Sequence, residues 1–157
     1  MAVPALNEFG LLPVGVHNCT LSEIAAMFGG FQRSDKRLKL FERLRVFVDA
    51  VWKVDDDIHV VVDGSFIMGK VDEPADVDVI LVFPVTWDLS ADLPPFKYNI
   101  VSKRMVRKLH GFDMLVCIAG ETSEVEAFEF FSRVNVKWHE PLGIPTVARK
   151  GLIRVQR

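Results

Sequence analysis

Apolar Leu38, Phe41, Leu44, Val48 and Val51 recur at steps of three and four residues, with Lys36, Lys39, Glu42, Arg43 and Asp49 on the other side. That period predicts an amphipathic helix over residues 34–52, with one face buried. Upstream, Thr20-Leu21-Ser22-Glu23 has the form of a capping box, in which the Thr20 hydroxyl and the Glu23 carboxylate satisfy each other's free amides. It predicts a short helix that Gly29-Gly30 ends. Beyond residue 57 the period changes. Short apolar runs at 58–62, 77–83 and 112–118 read as buried strands, and 151–155 as an edge strand. Between them, 84–98 with Pro84, Pro94 and Pro95 reads as a loop and 99–109 as a helix. Residues 123–134 read as a helix with Ser123 and Glu126 as a second capping box. Residues 1–19 show no sustained period and read as an ordered N-terminal arm. Strands alternating with helices predict an α/β (α+β) fold in a single domain, 1–157, with 58–118 as its motif-bearing core.

Composition narrows the class. The chain has 157 residues, 50% apolar and 25% charged, which excludes disorder and is enough for one core. Nineteen basic against twenty-one acidic residues give a net charge of −2, so DNA binding is not expected and any polyanion has to be bound locally. Cys19 and Cys117 form neither a disulfide framework nor a zinc-spaced cluster, which fits a reducing compartment. No apolar run approaches the ~20 residues of a membrane span, and the N-terminus, with Glu8 and no basic lead, does not read as a signal peptide. A cytoplasmic location without a membrane partner is the expectation.

Three features carry chemistry: Gly64-Ser65 after a strand, Asp76-Val77-Asp78 at the head of the next strand, and Asp113 in a third apolar strand. Side chains alternate along a strand, so Asp76 and Asp78 share one face while Val77 and Val79 enter the opposite layer. Paired carboxylates suit a hard divalent cation that keeps sites for water and phosphate. Asp113, between Phe112 and Met114, is expected to be costly to bury unless a cation or hydrogen bonds compensate it. Gly64 permits close backbone approach, the Ser65 hydroxyl and nearby amides can donate to phosphate oxygens, and Lys70 adds a point charge. Two metals would then form the clamp for in-line displacement at phosphorus.

Simpler readings exist for each part. Asp63-Gly64 between apolar runs is also a type I′ hairpin signal, and Asp-x-Asp occurs on solvated strand faces. A hairpin explains neither the placement of the aspartate pair nor Asp113, so the joint pattern favours a metal and nucleotide site. Asp55-Asp56-Asp57 reads as a solvated turn whose side chains do not converge. Lys103, Arg104, Arg107 and Lys108 read as a solvated helix face, and Cys117 as a core residue. Trp87 and Trp138 suit base stacking and tertiary packing equally.

The ordered set of strand, Gly64-Ser65, Asp76-x-Asp78 and a later strand bearing Asp113 resembles the nucleotidyltransferase superfamily that includes DNA polymerase β-like enzymes. The stretch Leu12-Pro13-Val14-Gly15-Val16-His17 with Thr20-Leu21, then Asp63-Gly64-Ser65-Phe66, Asp76-Val77-Asp78-Val79 and Lys150-Gly151, resembles small uncharacterised bacterial nucleotidyltransferase-like proteins. The resemblance implies a short mixed β-sheet flanked by helices. It implies that Gly64 and Ser65 hold the triphosphate, that Asp76 and Asp78 ligate metal, and that Asp113 completes the triad and favours deprotonation of the acceptor. Many minimal members place an Arg soon after the Gly-Ser turn, whereas here Phe66-Ile67-Met68-Gly69 precede Lys70. The expected activity is transfer of a nucleoside monophosphate from an NTP, ATP above others, to a hydroxyl on a protein, RNA or small molecule, with release of pyrophosphate. Two Mg²⁺ ions, or Mn²⁺ in their place, are the expected cofactors. The alternative is a non-catalytic binding protein on the same fold, acting with a partner protein as a regulatory or toxin–antitoxin component.

Overall fold

In the computed structural model, which describes residues 2–157, five strands form one mixed sheet. They are β1 (Val16–Thr20), β2 (His59–Asp63), β3 (Asp78–Phe83), β4 (Asp113–Ile118) and β5 (Leu152–Gln156), in spatial order β1-β5-β2-β3-β4. β1 runs parallel to β5 and β3 parallel to β4, while β2 is antiparallel to both of its neighbours. Six helices flank the sheet: α1 (Leu21–Phe28), α2 (Lys36–Val54), α3 (Pro95–Val101), α4 (Lys103–His110), α5 (Thr122–Phe131) and α6 (His139–Leu142). The architecture is α/β in one domain, and no helix among the described residues is long and apolar enough to cross a membrane.

Alternation along the strands sorts the core into two layers. Val60, Val62, Val77, Val79, Leu81 and Phe83 join Ile24 and Phe28 of α1, Leu44, Phe47 and Val51 of α2, Ile100 of α3 and Val106 of α4 in one cluster. Val61, Ile80, Val82, Cys117 and Leu152 meet Ala127, Phe128 and Phe131 of α5 on the other face. Each fully buried aliphatic or aromatic side chain in these layers contributes roughly 1.5–3 kcal/mol. Cys117 is buried among them, and burial pushes its thiol up to about 11, which makes it a core residue and a poor nucleophile.

The capping box on α1 forms as the sequence predicts: Thr20 Oγ1 accepts from Glu23 N, and Glu23 Oε2 accepts from Thr20 N at 2.7 Å. Other expectations need correction. Part of the supposed arm is strand β1, whose partner β5 lies 136 residues away, so no local period could mark it. β5 in turn is interior, with β1 and β2 on either side, and not an edge strand. The helix expected over 99–109 is two helices: α3 begins at Pro95 and α4 is capped by Ser102, whose Oγ accepts from Met105 N at 3.3 Å. Ser123 and Glu126 make no capping box, because Ser123 Oγ accepts from Ile118 N and the cap position is Glu121. On α2, Leu38 is 45% exposed while Arg37 is buried. The apolar stripe runs Leu40, Leu44, Phe47, Val48 and Val51.

Arg37 is the unexpected member of that face. Its guanidinium donates to the Phe28, Phe66, Met68 and Val71 carbonyls, engaging all three of its nitrogens. Burial pulls its pKa down to about 10, which leaves it charged at neutral pH. Three of those carbonyls belong to the 64–77 connection between β2 and β3. A cation anchored in the core thus folds the loop that carries Gly64, Ser65 and Asp76.

Candidate functional site

Strand register builds the site. Asp63 of β2 stands opposite Asp78 of β3, and Asp78 opposite Asp113 of β4, so three aspartates lie abreast at one end of the sheet. Residues opposite one another share a face, and here it is the α5 face, since Val61, Ile80 and Cys117 have the same parity. Val77 and Val79 enter the other layer, so Asp76 sits on the same side as Asp78. One ligand oxygen from each of Asp76, Asp78 and Asp113 lies within 4.8 Å of the others, a spacing at which three carboxylates can share a divalent cation.

Gly64 has φ +84°, and a Cβ there would come within 2.5 Å of Asp78 Oδ2. The glycine therefore accommodates the Asp78 carboxylate as well as the turn itself. Asp63-Gly64 does not form a two-residue hairpin: the chain continues into a 3₁₀ turn, Ser65–Ile67, and rejoins the sheet only at Asp78.

Two cations oppose four carboxylates. Lys150, at the entry to β5, is buried against Asp63 and also donates to the Phe131 carbonyl at 2.6 Å. Arg107 of α4 lies 2.7 Å from Asp113 Oδ1 and 3.5 Å from Asp76 Oδ2. Burial, then the charges of Asp76, Asp63 and Asp113, push the Asp78 carboxyl up to about 6, with Lys150 opposing. A carboxyl whose folded pKa is raised contributes stability below its unfolded pKa and loses it as pH rises through about 6. Asp78→Asn in metal-free buffer is accordingly expected to melt a few degrees above the parent at about pH 8, with the gain vanishing near pH 4. Thermal melts across that range check it, and a gain that persists at the acid end would refute the assignment of the strain to Asp78.

Several expectations are revised here. Asp113 is not a buried carboxylate needing rescue: it heads β4, its side chain is 67% exposed, and Arg107 pairs with it. Lys70 is not among the residues lining the cavity beside Gly64 and Asp76 and lies exposed against Gly10. Arg107 is tied into the carboxylate cluster and is more than part of a solvated face. The Asp55-Asp56-Asp57 carboxylates do converge, within 4.8 Å, because they occupy a turn. Asp55 is engaged by Trp87 Nε1 at 2.5 Å and Asp56 by Arg157 at 3.0 Å, which places Trp87 in tertiary packing.

A cavity of about 370 Å³ opens beside Gly64, Ser65, Asp76 and Asp78, with the Asp63–Lys150 pair also lining it. Residues 130–138 form its other wall, including Phe130, Arg133, Lys137 and Trp138. Its size falls in the range of small-molecule sites. No periodicity marked this wall, and Lys150 carried no sign in the sequence that it would reach Asp63.

The fold and this site define a single-domain α/β protein with a carboxylate cluster and a glycine turn at one end of a mixed sheet. The chain belongs to DUF6932, a family of unknown function whose model matches residues 4–156. No curated protein and no solved structure matches it.

Proposed function

We infer that the protein is a metal-dependent nucleotidyltransferase. The observation that carries this reading is the register that brings Asp76, Asp78 and Asp113 within 4.8 Å beside the Gly64-Ser65 turn and an open cavity. Asp76, Asp78 and Asp113 would hold Mg²⁺, or Mn²⁺, which would supply charge neutralisation to a triphosphate. The Ser65 amide and hydroxyl, beside the Gly64 turn, would donate to phosphate oxygens. In the transfer, the acceptor oxygen bonds to the α-phosphorus, the bond from that phosphorus to the bridging oxygen breaks, and pyrophosphate leaves. The acceptor's proton passes to a facing carboxylate, Asp113 by the family resemblance. ATP and a hydroxyl on a protein, RNA or small molecule are the substrate classes carried by the same reading.

Incubation with α-labelled NTP, Mg²⁺ and cell lysate is expected to label an acceptor. Asp76→Asn combined with Asp78→Asn is expected to reduce labelling to that of a control without protein. Equal labelling by the double variant would sink these roles.

A second reading is a non-catalytic nucleotide-binding member that works with a partner protein. The exposure of Asp113 and its pairing with Arg107 favour it. A thermal shift with NTP and Mg²⁺ but no labelled acceptor would support it, and binding at 100 times Kd would stabilise the fold by roughly 2.7 kcal/mol.

A further inference from the structure

We propose that the 130–138 wall is the recognition half of the cavity, with Arg133 and Lys137 taking the phosphates of a nucleotide and Phe130 with Trp138 taking its base. The proposal rests on the nucleotide reading above and names the residues that select the ligand. Its starting point is a gap: the expected cation after the Gly-Ser turn, Lys70, does not line the cavity. Among the described residues, the side of the cavity that bears Asp76 and Asp78 lacks a free positive group, because Lys150 is committed to Asp63 and the Phe131 carbonyl.

The opposite wall supplies what is missing. Arg133 and Lys137 are exposed, both line the cavity, and among the described residues neither forms an ion pair with a carboxylate. Phe130 is 62% exposed on the same wall, so its ring face is open to a ligand in the cavity. Trp138 is half-buried, with Lys137 Nζ 5.2 Å from its ring centroid. Its inner side packs against the small cluster of Leu11, Met68, Val71, Val134 and Ile144, which anchors the wall to the loop bearing Gly64 and Ser65. Aromatic faces beside guanidinium and ammonium groups, opposite a carboxylate cluster, fit a planar heteroaromatic ring carrying phosphates. An apolar ligand would leave the cations unused, and a bare phosphate would leave the rings exposed.

Calorimetric titration with Mg·ATP and with magnesium tripolyphosphate tests the proposal on the parent and three variants. Arg133→Gln with Lys137→Gln is expected to weaken both ligands by about tenfold or more. Phe130→Ala is expected to weaken ATP alone, since tripolyphosphate has no base. Asp76→Asn with Asp78→Asn reports on the metal reading. If the Arg133 and Lys137 variant binds ATP as the parent does while the aspartate variant fails, the wall proposal falls and the metal reading stands. If the aspartate variant binds as the parent does while the cation variant fails, the wall stands and the carboxylate roles fall. No binding of Mg·ATP by the parent would overturn both. Besides the aspartates, the three substituted side chains, Phe130, Arg133 and Lys137, are exposed, and thermal melts verify that each variant is folded.

Discussion

Arg37→Met is expected to destabilise the protein by about 3 kcal/mol or more, measured by urea unfolding at neutral pH. Methionine fills much of the volume, but it offers no hydrogen to the carbonyls of Phe28, Phe66, Met68 and Val71. The Met68 carbonyl keeps the Val71 amide at 3.2 Å, but those of Phe28, Phe66 and Val71 lose the guanidinium, and a buried carbonyl left without a donor costs about 1–3 kcal/mol. Removing a buried charge recovers part of that, because the guanidinium no longer has to be stripped of water. The carbonyls remain, however, and this distinguishes Arg37 from an ion pair in which both partners can be replaced together. Arg37→Lys keeps the charge but lacks the planar fork, so it is expected to fall between the two. The loss should also reach the site, since three of the four carbonyls lie on the connection from Gly64 to Val77. Stability within about 0.5 kcal/mol of the parent for Arg37→Met would show that the loop does not depend on this anchor.

Lys150→Met is expected to cost about 3 kcal/mol near pH 8 and clearly less near pH 5. It leaves Asp63 buried without its counter-charge. In the parent, burial already pushes the Asp63 carboxyl up while Lys150 holds it down. Without Lys150 the folded pKa rises further above the unfolded one. The variant is therefore penalised increasingly as pH rises through that value, and protonation relieves it at acid pH. Adding Asp63→Asn should recover much of the alkaline loss, since a neutral amide carries no charge to strand. Unfolding measured at both pH values in the single and double variants checks the account. An equal penalty at the two pH values would mean that Lys150 acts through packing or its bond to the Phe131 carbonyl.

The two residues explain why only part of this molecule was legible beforehand. Helix α2, strands β2, β3 and β4, and the Thr20–Glu23 cap all write themselves in local period or local hydrogen bonding, and each was readable to within a few residues. The shared face of Asp76 and Asp78 was readable for the same reason, because alternation in a strand is a local rule. Arg37 was not, since a basic residue beside a helix's apolar stripe is ordinarily solvated and nothing local announces four carbonyls waiting for it. Leu38 was misplaced by the same one-residue rotation of the helix face. Closeness in sequence suggests Lys70 for the site, whereas in the fold it lies against Gly10 and outside the cavity lining.

By itself the sequence determined the elements whose signal is periodic, the mixed α/β class, and the set Gly64, Ser65, Asp76 and Asp78 beside a strand head. Periodicity is set by backbone geometry and therefore survives without knowledge of the rest of the chain. Only the tertiary structure decided the register that sets Asp63, Asp78 and Asp113 abreast, the pairing of β1 with β5, and the union of Asp63 with Lys150 across 87 residues. It also decided that Asp113 is exposed and paired with Arg107, and that Arg133, Lys137 and Trp138 form the facing wall. These are contacts between segments distant along the chain, fixed by how whole layers pack, and no local spacing encodes them.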